Sequence, residues 1–327
     1  MRSFRSMPKG ASEQPLKFIL GSCATQMTWT FQHIRDEKPD ALIWLGDLNY
    51  PDAMGLLAQT ESGYTGLWKD FLATRELRDI LHTACFVPQR DDHDYGLNDC
   101  YSETIPEHGI TTWEGIVHPG TYYQFDAGPV GVWVLDQRRF LDDPSLPDTV
   151  DKSMLGTAQR DWLLETLAAS DQPFKIVGAP MPLFHAPNPN KDWSKGFTAE
   201  RDYILDFIRT QVSGRVIFVS GDSHSGAVIE QDGILDIRSS PLDIPSLGWV
   251  TASEGEGVIW SDVGKFYCVA ETGQTDGRPF LDMRLVRVGI VVNTGQGIGT
   301  GLPAVAVSDF GLTEEHLTEV VWQQRFE

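Results

Sequence analysis

The chain is poor in cysteine. Four occur among 327 residues, Cys23, Cys85, Cys100 and Cys268, and no two form a Cys-x-x-Cys pair. That spacing excludes the usual structural zinc clip. Three of the four fall in or beside predicted strands or motifs, so reduced thiols are expected rather than disulfides. No apolar run is long enough to span a membrane. Basic charge is short as well, with 26 Lys and Arg against 46 Asp and Glu, a net charge of −20. A surface that grips a nucleic-acid backbone is excluded on that balance. An anionic substrate would be repelled too, unless the site held local positive charge of the kind bound metal ions supply. Residues 1–10 carry Arg2 and Arg5 with no apolar stretch behind them, and 11–14 are polar. No signal peptide is read there, and a cytoplasmic location is expected. The glycine-rich loop around Gly295-Gln296-Gly297 lacks a following P-loop Lys, which argues against a nucleotide cradle.

What the chain does have is core. Ten Trp and sixteen Phe favour a packed globule over disorder. Strand-like apolar runs occur at 18–20, 41–45, 84–87, 174–177 and 216–219, with a hairpin at 122–125 and 130–135. Helical periods cover 28–38, 64–81, 155–168, 198–211, where Thr198 is an expected N-cap, and 313–324. Residues 180–195 form a loop with four prolines. From about residue 226 the chain becomes β-rich, with runs at 227–230, 235–238, 266–271 and 280–292. Strand–helix alternation with antiparallel hairpins predicts a mixed α/β sandwich. No linker is seen, so a single domain over 1–327 is expected.

The candidate chemistry lies at the ends of the strand-like runs. Asp47 follows the run 41–45, where a carboxylate can bridge two cations with one oxygen to each. Tyr50, three residues on, offers a phenolate, a hard ligand that favours Fe(III) over Zn(II). The plain alternative is a turn-capping Asp with a packed Tyr, and Asn49 reads as a turn residue. Cys23 could complete an iron site as a thiolate, or be an inert buried cysteine. In Asp91-Asp92-His93-Asp94, one carboxylate could hold a second metal. His93 could then protonate a leaving oxygen or hold a phosphoryl group; a charged surface loop is the alternative. Asp222 and His224 alternate after a strand, so both could face one cleft. Arg138 offers a guanidinium fork for phosphate oxygens, and spacing does not choose between it and Arg139. The remaining histidines read as loop, surface or packing residues.

Taken in order, six motifs resemble the alkaline phosphatase D family, the PhoD-like branch of the calcineurin-like metallophosphatases. They are Gly21-Ser22-Cys23, Trp44-Leu45-Gly46-Asp47 with Tyr50, Asp91-Asp92-His93-Asp94-Tyr95-Gly96, Leu135-Asp136 with Arg138, Leu155-Gly156 with Gln159, Trp162 and Leu163, and Ser220-Gly221-Asp222 with His224. The resemblance runs from Phe18 to about His224. It implies a four-layer α/β/β/α sandwich of two mixed sheets flanked by helices, with the site at the sheet ends. It implies iron (Fe3+) held by Cys23, Asp47, Tyr50 and His224. It implies a second divalent metal, commonly calcium, held by Asp47, Asp92 and Asp222. Arg138 would hold phosphate and His93 would stand by the leaving group. The expected activity is hydrolysis of a small-molecule phosphate mono- or diester, with a phospholipase D-like phosphodiesterase as the variant within the family. A redox enzyme and a non-catalytic metal-binding or assembly protein are the rivals outside it. The chain reads as a short member without the N-terminal β-domain. The family usually places Trp just before Asp-Asp-His. Here Arg90 stands there, where it would alter the pocket wall or touch substrate.

Overall fold

The computed structural model describes residues 15–25, 29–54, 60–185, 192–244, 252–293, 298–300 and 314–327. The amino-terminal segment to Gln14, Gly295-Gln296-Gly297 and the middle of the 180–195 loop lie outside them.

Alternation along short buried strands builds the layers. In β1 (Lys17–Gly21), Phe18 and Leu20 point one way and Ile19 the other; in β2 (Ala41–Leu45), Ile43 and Leu45 oppose Leu42 and Trp44. Successive side chains leave opposite faces of a strand, so a strand buried on both faces reads as continuously apolar. Phe18, Leu20, Ile43 and Leu45 join Val132, Val134, Ile176, Ile217 and Val219 in the core between two sheets. Leu42 and Trp44 instead meet α1 (Trp29–Glu37), α2 (Glu61–Ala73) and α3 (Arg75–Leu81) on the outer face.

The first sheet runs β13-β12-β11-β1-β2-β3, where β3 is Cys85–Gln89, β11 Lys265–Thr275, β12 Arg278–Asn293 and β13 Ile298–Thr300; β14 (Glu314–Phe326) also pairs with β12. The second runs β10-β8-β9-β7-β6-β5-β4, from Val258–Asp262 through Gly226–Gln231, Ile234–Arg238, Arg215–Ser220, Phe174–Ala179 and Val130–Val134 to Tyr123–Ala127. Its outer face packs on α6 (Gly156–Ala169) and α7 (Thr198–Gln211) through Trp133, Val177 and Phe218 against Leu163, Leu167, Ile204 and Ile208. This is the α/β/β/α sandwich that the motifs implied. Within each sheet a run of neighbouring strands is parallel, β1-β2-β3 in one and β5-β6-β7-β9 in the other. Their carboxyl ends gather at one rim, the usual place for a site in such sheets.

Three predictions need correction, and two elements were not expected. The helix expected at 313–324 is a strand, β14, paired along β12 from Val292↔Glu314 to Leu281↔Phe326. Its Glu, Leu and Gln favour helix in isolation, and sheet pairing overrides that preference. The run 64–81 is two helices broken at Thr74, whose ψ of 144° leaves the helical region. Thr198 is not the cap of α7; Phe197 stands there, and Asp148 accepts from Thr198 N at 2.9 Å and Thr198 Oγ1 at 2.6 Å. Two elements, α5 (Glu107–Ile116) and β10, carry too little periodicity to have been expected. No helix among the described residues is long and apolar enough to cross a membrane.

Candidate active site

Each candidate side chain leaves the carboxyl end of a parallel strand: Cys23 after β1, Asp47 and Tyr50 after β2, Asp91 to Asp94 after β3, Arg138 after β5, and Asp222 and His224 after β7. Glycines let these loops meet. Gly46 has φ +95°, and a Cβ there would fall 2.6 Å from Asp91 Cβ. A Cβ on Gly221 would fall 2.5 Å from Ser22 Oγ. The glycines of the Gly-Asp and Ser-Gly-Asp motifs are therefore needed for loop-to-loop contact as well as for turning.

The backbone itself is strained at the site. Cys23, Asp47, Asp222 and His224 all have positive φ, between 51° and 61°. Non-glycine residues in this region cost free energy and persist where the surroundings force them, most often at functional sites. Four of the six predicted metal ligands share this unusual conformation.

The side chains converge on Asp47. Its Oδ2 accepts from Cys23 Sγ at 3.4 Å and Tyr50 OH at 3.0 Å, and Tyr50 OH lies 3.4 Å from His224 Nε2. Donor atoms of Cys23, Asp47 and His224 lie within 4.8 Å of one another. So do those of Asp47, Asp92 and His93, and those of Asp91, Asp92 and Asp222. Asp47 Oδ1 and His224 Nδ1 are buried without a hydrogen-bond partner. Buried polar atoms in native folds are nearly always satisfied. An orphaned carboxylate oxygen inside a donor cluster, Asp47 Oδ1, fits a cation. All predicted metal ligands are thus brought together, and Arg138, not Arg139, reaches them. Arg138 is almost fully buried. Its Nε donates to Asp91 Oδ1 at 2.5 Å, and its Nη2 lies 3.3 Å from Asp222 and 3.7 Å from Asp92.

The charges strain against one another. Burial, with the Asp92 charge, pushes the Asp47 carboxyl up to about 6 despite pull from His93 and Arg138. Burial, with Asp92 and Asp47, pushes Asp222 up to about 7. Asp92 resists burial because Arg138, His93 and two backbone N–H groups hold it down at about 2. Burial raises the Cys23 thiol and the Tyr50 phenol, each helped by Asp47. Burial, then the His93 charge, lowers His224 to about 4, leaving the neutral imidazole that a metal requires. Burial opposes the charge on His93, but Asp92, Asp47 and Asp52 together lift it to about 11.

One prediction follows from Asp47 and Asp222. In metal-stripped protein both bind their proton more tightly folded than unfolded. Their stabilising contribution is whole below about pH 4 and is lost as pH rises through 6 and 7. Asp92 acts in the opposite sense only as pH falls toward 2. His224, lowered to about 4, opposes them between about pH 6.5 and 4 without outweighing the two carboxyls. His93, raised to about 11, adds to the loss as pH rises above about 6.5. Chelated protein should therefore melt at a lower temperature at about pH 8 than at about pH 5. Added iron and calcium should raise the melting temperature more at the higher pH. Equal melting at both pH values would show that these carboxyls are not strained.

Sequence reasoning missed Asp52 and gave no role to Asp94 or Gln159, which it named only within motifs. Asp94 accepts from the backbone N–H of Asp47 at 2.6 Å, Leu48 at 2.8 Å and Asp91 at 2.8 Å, fixing two loops at once. Its place at the third position of the capping box on α4 (Asp92–Tyr95) is the local signal that could have found it. Asp52 lies 2.8 and 2.9 Å from His93 Nδ1, across 41 residues, with no local signal. Gln159 locks Asp136 from both sides, Oε1 accepting from Asp136 N and Nε2 donating to Asp136 O, each at 2.8 Å. Arg90 turns its guanidinium toward the loop after β5. It is almost fully buried, 3.1 Å from Asp136 Oδ2. His185 joins no ligand group; its Nε2 meets Glu256 O at 2.7 Å and Gln231 Nε2 at 2.9 Å.

Two facing mixed sheets, helices outside them and a hard-ligand cluster at one rim are the architecture of the metallophosphatase sandwich. Residues 101–242 match the model of the PhoD-like phosphatases. Alkaline phosphatase D of Bacillus subtilis (strain 168) is 21% identical, over 66% of this chain and 47% of that protein. The chain thus spans about half the length of the curated relative it matches. The solved structure of PhoD superposes with a TM-score of 0.68 at 15% identity, over 90% of this chain and 70% of that one. GAP50, described as the anchor in the inner membrane complex of Plasmodium, superposes at 0.54 and 14% identity over 84% of each chain. The 101–242 segment is thus similar to the PhoD-like phosphatases, and the fold as a whole is similar to that of PhoD. The matched segment holds Arg138, Asp222 and His224; Cys23, Asp47, Tyr50, Asp92 and His93 lie ahead of it and rest on geometry.

Proposed function

We propose that the chain is a metal-dependent phosphoric ester hydrolase with a dinuclear site, acting on small phosphate mono- or diesters, and that the whole chain forms one catalytic unit. The observation that carries this is the convergence on Asp47, with its orphaned Oδ1. Cys23, Asp47, Tyr50 and His224 would hold iron; a thiolate, a phenolate, a carboxylate and an imidazole suit Fe(III). Asp47, Asp92 and Asp222 would hold calcium, an oxygen-only set suited to a hard cation. Bound cations supply Lewis acidity toward the phosphoryl oxygens and lower the pKa of an attacking water.

The chain's own residues supply the rest. Arg138 Nη2, poised between Asp222 and Asp92, is placed to take a phosphoryl oxygen once cations neutralise those carboxylates. His93 has Nδ1 fixed on Asp52, which leaves Nε2 to deliver a proton to the leaving oxygen. The Tyr50 ring, its centroid 4.0 Å from that of His93, holds the imidazole against the iron set. The fold alone does not argue for catalysis, since the likeness to an anchor protein covers the same layers. It is the complete donor set that favours hydrolysis over a non-catalytic role.

The test is elemental analysis with visible spectroscopy, followed by a screen of p-nitrophenyl phosphate and bis-p-nitrophenyl phosphate. The expected result is about one iron per chain, a phenolate or thiolate charge-transfer band, and turnover that a chelator removes. Colourless protein that stays inactive with added iron and calcium would overturn the proposal.

A further inference from the structure

We infer that the buried Arg90–Asp136 ion pair is a positioning device. It locks the loop after β3, from the first sheet, to the loop after β5, from the second, and so sets where Arg138 meets the acidic cluster. The inference rests on the hydrolase reading above for its catalytic consequence.

Three consecutive residues, the last of β3 and the first two of its loop, bind across to the second sheet. Gln89 Nε2 donates to Leu135 O and Gly178 O, each at 2.6 Å. Arg90 Nη2 lies 3.1 Å from Asp136 Oδ2, with both side chains 1% exposed. Asp91 Oδ1 accepts from Arg138 Nε at 2.5 Å. Within the two closest pairs the charges are reciprocal, each loop giving one cation and one anion, and Asp92 of the β3 loop also lies 3.7 Å from Arg138 Nη2. The β3 loop offers Arg90 and Asp91; the β5 loop offers Asp136 and Arg138. Most of the space between the sheets is filled by apolar contacts, which hold layers together but fix lateral register weakly because they are non-directional. Two further polar ties, Tyr123 OH to Pro88 O and Ser239 Oγ to Leu20 O, carry no charge pair.

Both partners are themselves immobilised. The Arg90 guanidinium sits 4.7 Å from the Tyr95 ring centroid and 5.3 Å from that of Trp113. Tyr95 OH donates to Asp136 Oδ2 at 2.7 Å, and Asp136 Oδ1 accepts from Arg139 N at 3.1 Å. Gln159 closes on the Asp136 backbone from α6. Asp136 is two residues from Arg138, and Arg90 is two from Asp92. Any slip of the pair therefore moves the guanidinium relative to Asp91, Asp92 and Asp222. A buried ion pair is weak evidence for stability, since apolar replacements often stabilise as well; specificity of arrangement is its better-attested use.

The experiment compares Arg90→Met, Arg90→Lys and the double variant Arg90→Met with Asp136→Leu, each with full metal content confirmed. Arg90→Met should keep wild-type iron, because Arg90 touches none of the iron ligands. It should lose about 10- to 100-fold in kcat/KM and bind inorganic phosphate more weakly, the range seen for groups that orient others. Arg90→Lys should recover part of that loss. Arg90→Met alone leaves Asp136 buried and unpaired. The double variant removes both charges, so it should fold even where Arg90→Met does not, and it should show the same loss of turnover. A merely structural role would lower the melting temperature but leave turnover per folded, metal-loaded chain at the wild-type level. That outcome, in either Met-containing variant, overturns the inference. A crystal structure reads it independently of activity: Arg138 should leave Asp91 in the variants. Should the wild-type protein prove inactive, the hydrolase reading falls, while an undisplaced Arg138 is what would overturn the positioning role.

Discussion

Replacing Asp47 by Ala should abolish hydrolysis and release both cations together. Asp47 belongs to two of the three donor groups, one with Cys23 and His224 and one with Asp92 and His93. Its Oδ2 accepts from Cys23 and Tyr50 while Oδ1 has no partner. Losing this carboxylate removes the common ligand, so neither site keeps its full set. Turnover should fall more than about a thousandfold, beyond what loss of one electrostatic donor usually costs. Ala also fits poorly at φ 56°, where Asp and Asn are better tolerated. Asp47→Asn is therefore the control. It keeps the backbone conformation and one oxygen acceptor but not the bridging charge, and should retain one cation at most. Iron and calcium measured by elemental analysis in both variants decide the matter. Wild-type turnover or undiminished metal in Asp47→Ala would sink the dinuclear reading.

Much of this was legible in the sequence because the parallel strands are short, apolar and followed at once by their functional residues. Ala41 to Leu45 reads as a buried strand without any partner in view, and Gly46-Asp47 then falls at its tip. The same holds for Val216 to Val219 before Asp222. What could not be read is whatever depends on contacts across the chain. Asp52 meets His93 over 41 residues, and Arg90 meets Asp136 over a similar span. Nothing near Arg90 in sequence says that its guanidinium lies against the Tyr95 and Trp113 rings beside Asp136. Strand β14 failed for the same reason. Its residues favour a helix locally, and only the long edge of β12 makes a strand the better state, with Arg325 paired to Asp282 across it. The strain at Cys23, Asp47, Asp222 and His224 has no sequence signature, because none of them is a glycine.

Asp94→Ala should damage stability and metal binding together, although Asp94 belongs to none of the donor groups. Its two oxygens take three backbone N–H groups from two loops, those of Asp47, Leu48 and Asp91. Hydrogen bonds to a charged acceptor are worth about 1.5–3 kcal/mol each, and a buried donor left unpaired costs a similar amount. Because all three donors are buried, the loss on removing Asp94 should be on the order of 3–6 kcal/mol. Asp94→Asn separates shape from charge. Oδ2 serves Asp47 N and Asp91 N, so an amide oxygen there can keep both bonds. The amide NH2 then faces Leu48 N–H, donor against donor. Asn should thus recover part of the stability while Leu48, next to Asp47, is pushed out of place. Denaturant unfolding together with iron content reads both effects. The expected order of stability is wild type, then Asn, then Ala, with iron lost in the same order. If Asn matched wild type in both, the carboxylate would not be what ties the Asp47 loop to the Asp91 loop, and the strained backbone at Asp47 would need another restraint.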